Sequence, residues 1–205
     1  MKPDNKFFSF MSMLGDIILL NVLFVITSLP VVTIGVSLTA LYASIKKRIR
    51  GRESYIIKDY FSLWKENARN GLITWVILLP FLAAMVLFTS YIAGHLENLA
   101  ALCVYFLFFL ILLLILTCLF PLQATFVNRP LLLLRNSLLT AFGHLPYTLA
   151  LIFLTSLPVC VTLCFPRAFY FTAAYWLLLG FSVNTVVSVQ ITERIFRHYI
   201  PQDKN

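Results

Sequence analysis

Asp16 stands inside an apolar run, roughly two turns into the first stretch long enough to cross a bilayer, and no other ionisable residue lies so near a membrane core. A carboxylate in hydrocarbon is costly unless it is paired or carries an ion. It can form a helix-packing ion pair with Arg194 or with Lys46/Lys47, or it can serve as a proton or ion relay. Asn21, Gln123, Asn184 and Gln190 are the other strong hydrogen-bonders in apolar surroundings. Each can join two helices, a contact worth ~0.6–2 kcal/mol in membranes. Gathered around one cavity with Thr27 and Ser28, the amides Asn21, Asn184 and Gln190 would instead line a solute path.

The densest charge is Lys46-Lys47-Arg48-Ile49-Arg50-Gly51-Arg52-Glu53, continuing through Lys58 and Lys65 to Arg69. It holds eight of the sixteen Lys and Arg residues against three acids, Glu53, Asp59 and Glu66. Such a block must stay outside the hydrocarbon, and a Lys/Arg excess beside apolar spans marks the cytoplasmic side. Anionic lipid headgroups account for the formal charge of +8 without any nucleic acid. The residues Lys46, Lys47, Arg48, Arg50, Arg52, Trp64, Lys65 and Arg69 form the candidate surface for lipid or for a cytoplasmic partner.

Other chemistries find little support. His95, His144 and His198 are far apart and at no metal-ligand spacing, and there is no H-E-x-x-H, G-x-S-x-G or Walker A motif. Cys103, Cys118, Cys160 and Cys164 lie in apolar runs, where a free thiol packs as a small hydrophobe. No catalytic residue, metal site or cofactor is expected. An ATP-driven role would need a separate subunit.

The elements that position these groups follow from composition. The 205 residues are 60% hydrophobic and 12% charged, with mean hydropathy +0.90, against about 45–50% and about 25% for a soluble domain. The bilayer is therefore the solvent. The expectation is all-α: a single integral membrane domain over 1–205, a polytopic bundle of five to six membrane-embedded helices with interfacial amphipathic helices. Spans are expected over 7–29, 71–93, 99–127, 145–165 and 169–195. Residues 36–50 form a short or re-entrant helix, because fifteen residues reach only ~22 Å against a hydrocarbon core of about 30 Å. If it crosses, the N-terminus is cytoplasmic and Lys2 and Lys6 join the basic block; if it lies along the interface, there are five spans and the N-terminus is outside. Asp16 and Asn21 interrupt the first apolar run, which marks it as a retained helix and not a cleaved signal.

Within 56–70, Ile57, Tyr60, Phe61 and Trp64 recur at i, i+3, i+4 and i+7, the pattern of a helix lying in the headgroup region. A second interfacial helix is expected over 131–142. Pro121 should kink or divide the long run 99–127, and Pro158 should break the span 145–165. The connection 94–98 carries no Lys or Arg, as an outside loop should, and Arg167 falls in a short external turn. Tyr170, Tyr175 and Trp176 suit an aromatic belt, and Glu193, Arg194, Arg197 and Lys204 return the C-terminus to the basic, cytoplasmic side with 46–70.

The sequence from Gly15 to Asn67 carries a signature. Gly15-Asp16 and Asn21 are followed by Ser28-Leu29-Pro30-Val31-Val32-Thr33-Ile34-Gly35, Ser37, Thr39-Ala40-Leu41-Tyr42, Lys46, Arg50, Glu53-x-Tyr55-Ile56, Tyr60-Phe61 and Trp64-Lys65-x-Asn67. This resembles the YesL-type family of bacterial membrane proteins, a domain of unknown function. The resemblance implies a multi-pass protein of the bacterial cell membrane whose gene often lies beside carbohydrate ABC-transporter components and polysaccharide-degrading enzymes. It implies no reaction, substrate or cofactor. The leading expectation is a non-enzymatic accessory or partner of a carbohydrate (ABC-type) uptake system. The alternative is an autonomous small-solute transporter or channel.

Overall fold

Hydrocarbon satisfies no backbone N–H or C=O, so long runs of Leu, Ile, Val and Phe must bond internally, and in one chain segment only a helix does so. The computed structural model describes residues 4–51, 55–95, 97–126, 128–164 and 169–196, and these are helical, with no strand among them. The helices are α1 (Asp4–Ser28), α2 (Ile34–Ile49), α3 (Ile56–Ala93), α4 (Leu99–Gln123), α5 (Pro130–Gly143), α6 (Leu145–Cys164), α7 (Phe169–Tyr175) and α8 (Phe181–Phe196). A single 3-10 turn, Val31–Thr33, joins α1 to α2, and a π-helical turn, Trp176–Gly180, joins α7 to α8. Among the described residues, five stretches are long and apolar enough to cross a membrane: Met11–Ser28, Ile56–Ala93, Leu99–Gln123, Leu145–Cys164 and Tyr170–Phe196.

The least apolar of the long helices sits at the centre. α2 has sixteen residues, about 24 Å, and it packs against α1, α3, α4 and α8. Gly35, Val36, Ser37, Thr39, Ala40, Leu41, Ala43, Ser44 and Ile45 are all buried. Small side chains let neighbouring helices approach closely, which is how membrane helices pack when lipid gives no hydrophobic drive. The tightest approach is to α3, where a Cβ added at Gly35 would lie 2.6 Å from Trp75 Cβ and one added at Gly71 would lie 2.9 Å from Val36 Cγ2.

α3 lies antiparallel to α2, as four contacts along its length show: Lys47 with Asp59, Ser37 with Trp64, Gly35 with Gly71, and the Val31 carbonyl with Trp75. Segment 56–70 is not a separate interfacial helix. It continues without a break into 71–93, making one helix of 38 residues, about 57 Å long. Nor do its four large side chains share a face: Tyr60 is fully buried, while Ile57 and Phe61 are 52% and 40% exposed. Tyr60 instead meets Thr27 of α1 at 2.7 Å.

Neither Pro121 nor Pro158 interrupts its helix, so the run 99–127 is not divided at Pro121 and the span 145–165 is not broken at Pro158. α4 continues helical through Pro121 and α6 through Pro158, as membrane helices allow when their surroundings satisfy the freed backbone groups. α5 coincides with the second predicted amphipathic helix within a residue at each end. The last predicted span, 169–195, coincides with the single stretch Tyr170–Phe196, which carries the π-helical turn within it. Arg52, Arg167, Arg197, Lys204 and the C-terminus lie outside the described residues.

Candidate functional site

Successive residues on a helix point about 100° apart, so four cations at 46, 47, 48 and 50 cannot all face one partner. At the end of a central helix each direction meets a different neighbour. Lys47 Nζ pairs with Asp59 Oδ1 of α3 at 2.9 Å, Arg48 Nε with Asp16 Oδ2 of α1 at 2.6 Å, and Arg50 Nε with Glu193 Oε1 of α8 at 2.9 Å. Arg48 also reaches Ser12 Oγ at 3.4 Å. Cations in the last turn are further favoured by the negative end of the helix dipole.

The partner of Asp16 is thus Arg48, and not Arg194, Lys46 or Lys47. The 3-10 turn folds α1 back along α2 so that Asp16 meets the side of α2 that Arg48 presents, while Lys46 and Lys47 point to α4 and α3. Arg194 is exposed on α8. The ion-pair reading of Asp16 therefore accounts for its position.

Lys46 is the cation without a carboxylate among the described residues. Its Nζ donates to Thr125 Oγ1, just past the end of α4, at 2.7 Å, and Thr125 Oγ1 in turn donates to the Pro121 carbonyl at 2.8 Å. Burial, with the nearby Arg50 charge second and partly offset by Glu193, pulls the ammonium down from its ordinary value to about 8. A crevice of about 260 Å³ opens beside it, lined by Ala43, Lys46, Lys47, Arg50, Leu63, Ala124 and Thr125.

Of the four intramembrane amides, Asn21 and Asn184 go to helix joints, whereas the buried Gln123 side chain bonds no other helix. Asn21 is completely buried; its Nδ2 donates to the carbonyls of Trp176 and Leu177 at 3.0 and 2.7 Å, and its Oδ1 accepts from the Ser182 N–H at 2.9 Å. These bonds hold the π-helical turn, whose widened spacing disturbs the regular backbone ladder. Asn184 Nδ2 donates to the Thr155 carbonyl of α6 at 3.1 Å. Ser28 bonds the Val25 carbonyl within its own helix. Gln190 is exposed, so it does not join Asn21 and Asn184 around a common space.

Trp64 faces inward and donates to Ser37 Oγ at 3.3 Å, whereas Lys65 and Arg69 are exposed. Sequence reasoning missed Thr125 and Leu63 at this end of the bundle, and read Tyr60 as part of an interfacial face and not as the buried partner of Thr27. Thr125, four residues after Pro121 and just before the chain turns polar, was the only one with a visible signal. Among the described residues no group of His, Cys, Asp and Glu could hold a metal ion. His95 stacks on Tyr91, with ring centroids 4.3 Å apart.

Residues 17–91 match the model of a family described as a protein of unknown function, DUF624. That stretch contains all of α2 with Lys46, Lys47, Arg48 and Arg50, the second half of α1 with Asn21, and nearly all of α3. The chain matches no curated protein and no solved structure.

Proposed function

We propose that the protein is a non-enzymatic docking subunit of the bacterial cell membrane, with its basic end and C-terminus in the cytoplasm, and that it associates with a carbohydrate uptake system of the ABC type. The observation that carries the docking role is the two-sided start of α3. Tyr60 and Trp64 turn toward α1 and α2, while Ile57, Lys58, Phe61, Lys65 and Arg69 are exposed, interleaving cations with two large apolar side chains. Aromatic and basic groups mixed on one outward helix face suit an interface with another protein or with headgroups. Support for a carbohydrate system comes from the resemblance of Gly15–Asn67 to the YesL-type family. Support for a cytoplasmic basic end comes from the clustering of Lys46, Lys47, Arg48 and Arg50.

A transporter in its own right is less favoured, because Asn21, Thr27, Ser28 and Asn184 bond helix backbones and Tyr60. The test is purification of tagged protein from native membranes in mild detergent, with co-purifying proteins identified by mass spectrometry. Recovery of carbohydrate-transporter subunits, lost when Lys58, Lys65 and Arg69 are neutralised together, is the expected result. Recovery of the protein alone overturns the docking reading and directs attention to solute flux in liposomes.

A further inference from the structure

The basic crevice is a different surface from the outward stripe of α3, and its charges are arranged for a ligand. Lys46, Lys47 and Arg50 line one space of about 260 Å³, with Ala43, Leu63 and Ala124 as its apolar walls and Thr125 at its edge. Two of the three cations are already balanced, Lys47 by Asp59 and Arg50 by Glu193. The remaining positive charge is that of Lys46. An ammonium has three donors, and Thr125 takes one of them. Thr125 can only accept there, because its own proton goes to the Pro121 carbonyl.

Neutralising the end of α2 does not explain Lys46. The carbonyl of Lys46 is taken by the Arg50 N–H at 3.2 Å and that of Arg48 by the Gly51 N–H at 3.1 Å. Gly51, at φ 71°, supplies the left-handed residue that this helix ending requires. The Lys46 charge is therefore held half-buried, next to Arg50 and without an ion pair among the described residues; burial pushes it toward the neutral form, and Glu193 only partly offsets this. An incoming anion would remove that penalty.

We propose that this crevice binds a single phosphate oxyanion, with Lys46 as its principal donor and Lys47 and Arg50 flanking it. Three cations lining one space suit the several oxygens of a tetrahedral phosphate better than a planar carboxylate gripped by one fork. The apolar walls provided by Ala43, Leu63 and Ala124 suit a phosphate that carries an organic group. That chemistry belongs equally to an anionic phospholipid headgroup and to a water-borne phosphate ester. The proposal does not depend on any protein partner docking elsewhere.

The experiment uses the full chain in two arms. In the first, protein from nanodiscs of phosphatidylcholine containing a minor fraction of phosphatidylglycerol is released into detergent, and retained lipid is counted by native mass spectrometry. In the second, inorganic phosphate is titrated against protein in phosphatidylcholine alone, and thermal stability is read. Retention of one phosphatidylglycerol, weakened about tenfold in Lys46→Gln by loss of a charge-assisted hydrogen bond, assigns a lipid headgroup. Stabilisation by phosphate that Lys46→Gln abolishes, without lipid retention, assigns a soluble phosphate ester. Lys46→Arg should keep the response in either case, and Lys58→Gln, which removes an exposed charge on α3, should leave it unchanged. The proposal is overturned if wild-type protein gives neither response, or if Lys58→Gln loses as much as Lys46→Gln. A wild-type protein that gives neither response overturns it even if Lys46→Gln does not fold, and Lys58→Gln remains as the control for a positive one.

Discussion

The crossing of α2 and α3 permits a prediction whose sign depends on which of two effects is larger. Replacing glycine by alanine in a helix normally stabilises it by about 1 kcal/mol. At Gly71 the new Cβ would sit 2.9 Å from Val36 Cγ2, 3.0 Å from Val36 Cα and 3.3 Å from Val36 N. A rotamer change at Val36 could relieve the first contact but not the other two, which are backbone. The helices must therefore separate, disturbing the packing of Gly35 on Trp75 and the Trp75 Nε1 bond to the Val31 carbonyl at 2.7 Å. Overpacking of this kind costs typically about 1–3 kcal/mol, so the expected net effect of Gly71→Ala is a loss of about 1 kcal/mol. Gly15→Ala is the control, because a Cβ there meets nothing within 4 Å and only the propensity gain remains. Thermal unfolding of purified protein in detergent, followed by tryptophan fluorescence, should move down for Gly71→Ala and up or not at all for Gly15→Ala. If both variants move up together, α2 and α3 do not approach as closely as described, and α2 loses its claim to be the packed centre.

Other consequences can be measured in the same preparation. Asn21→Leu removes three buried hydrogen bonds at the π-helical turn; at ~0.6 kcal/mol each in a membrane the loss should be about 2 kcal/mol, and stability equal to wild type would mean that Asn21 does not hold that turn. The half-buried Asp16–Arg48 pair predicts that Asp16→Arg lowers the yield of folded protein, that adding Arg48→Asp restores it, and that adding Arg194→Asp does not; rescue by the last alone would reinstate the other pairing. Lys46, held down at about 8 against about 10.4 for a free lysine, binds fewer protons folded than unfolded between those values. Stability should therefore rise with pH across that window. Because Arg50, Glu193, Lys47 and Tyr42 lie beside it in both proteins, the rise is read as wild type gaining on Lys46→Gln from pH 8 upward. An unchanging difference between the two would contradict it.

Helix class and most helix positions were legible because hydrocarbon allows only one answer to the backbone's hydrogen-bonding demand. The polar connections 94–98 and 128–130 marked where chains turn. Orientation of individual residues was not legible, and for one reason. The rule that places apolar side chains inward fails where the outer solvent is lipid, because Val86 and Leu87 can then face out while Thr74 and Ser37 face in. In that setting the residues that pack the centre are those small or polar enough to permit close approach and to bond across helices. Gly35, Ser37, Thr39, Ala40 and Ser44 of α2 are of this kind, and the sequence showed that stretch only as a short or re-entrant helix. Partner choice among charges was hidden in the same way. The sequence offered Asp16 three cations, Lys46, Lys47 and Arg194, and the 100° rotation between Lys47 and Arg48 is what brings Arg48 to it instead. Once α2 is recognised as central, the fan of Lys46, Lys47, Arg48 and Arg50 toward four different helices follows. Lys46 is then the cation that fan leaves without a carboxylate among the described residues.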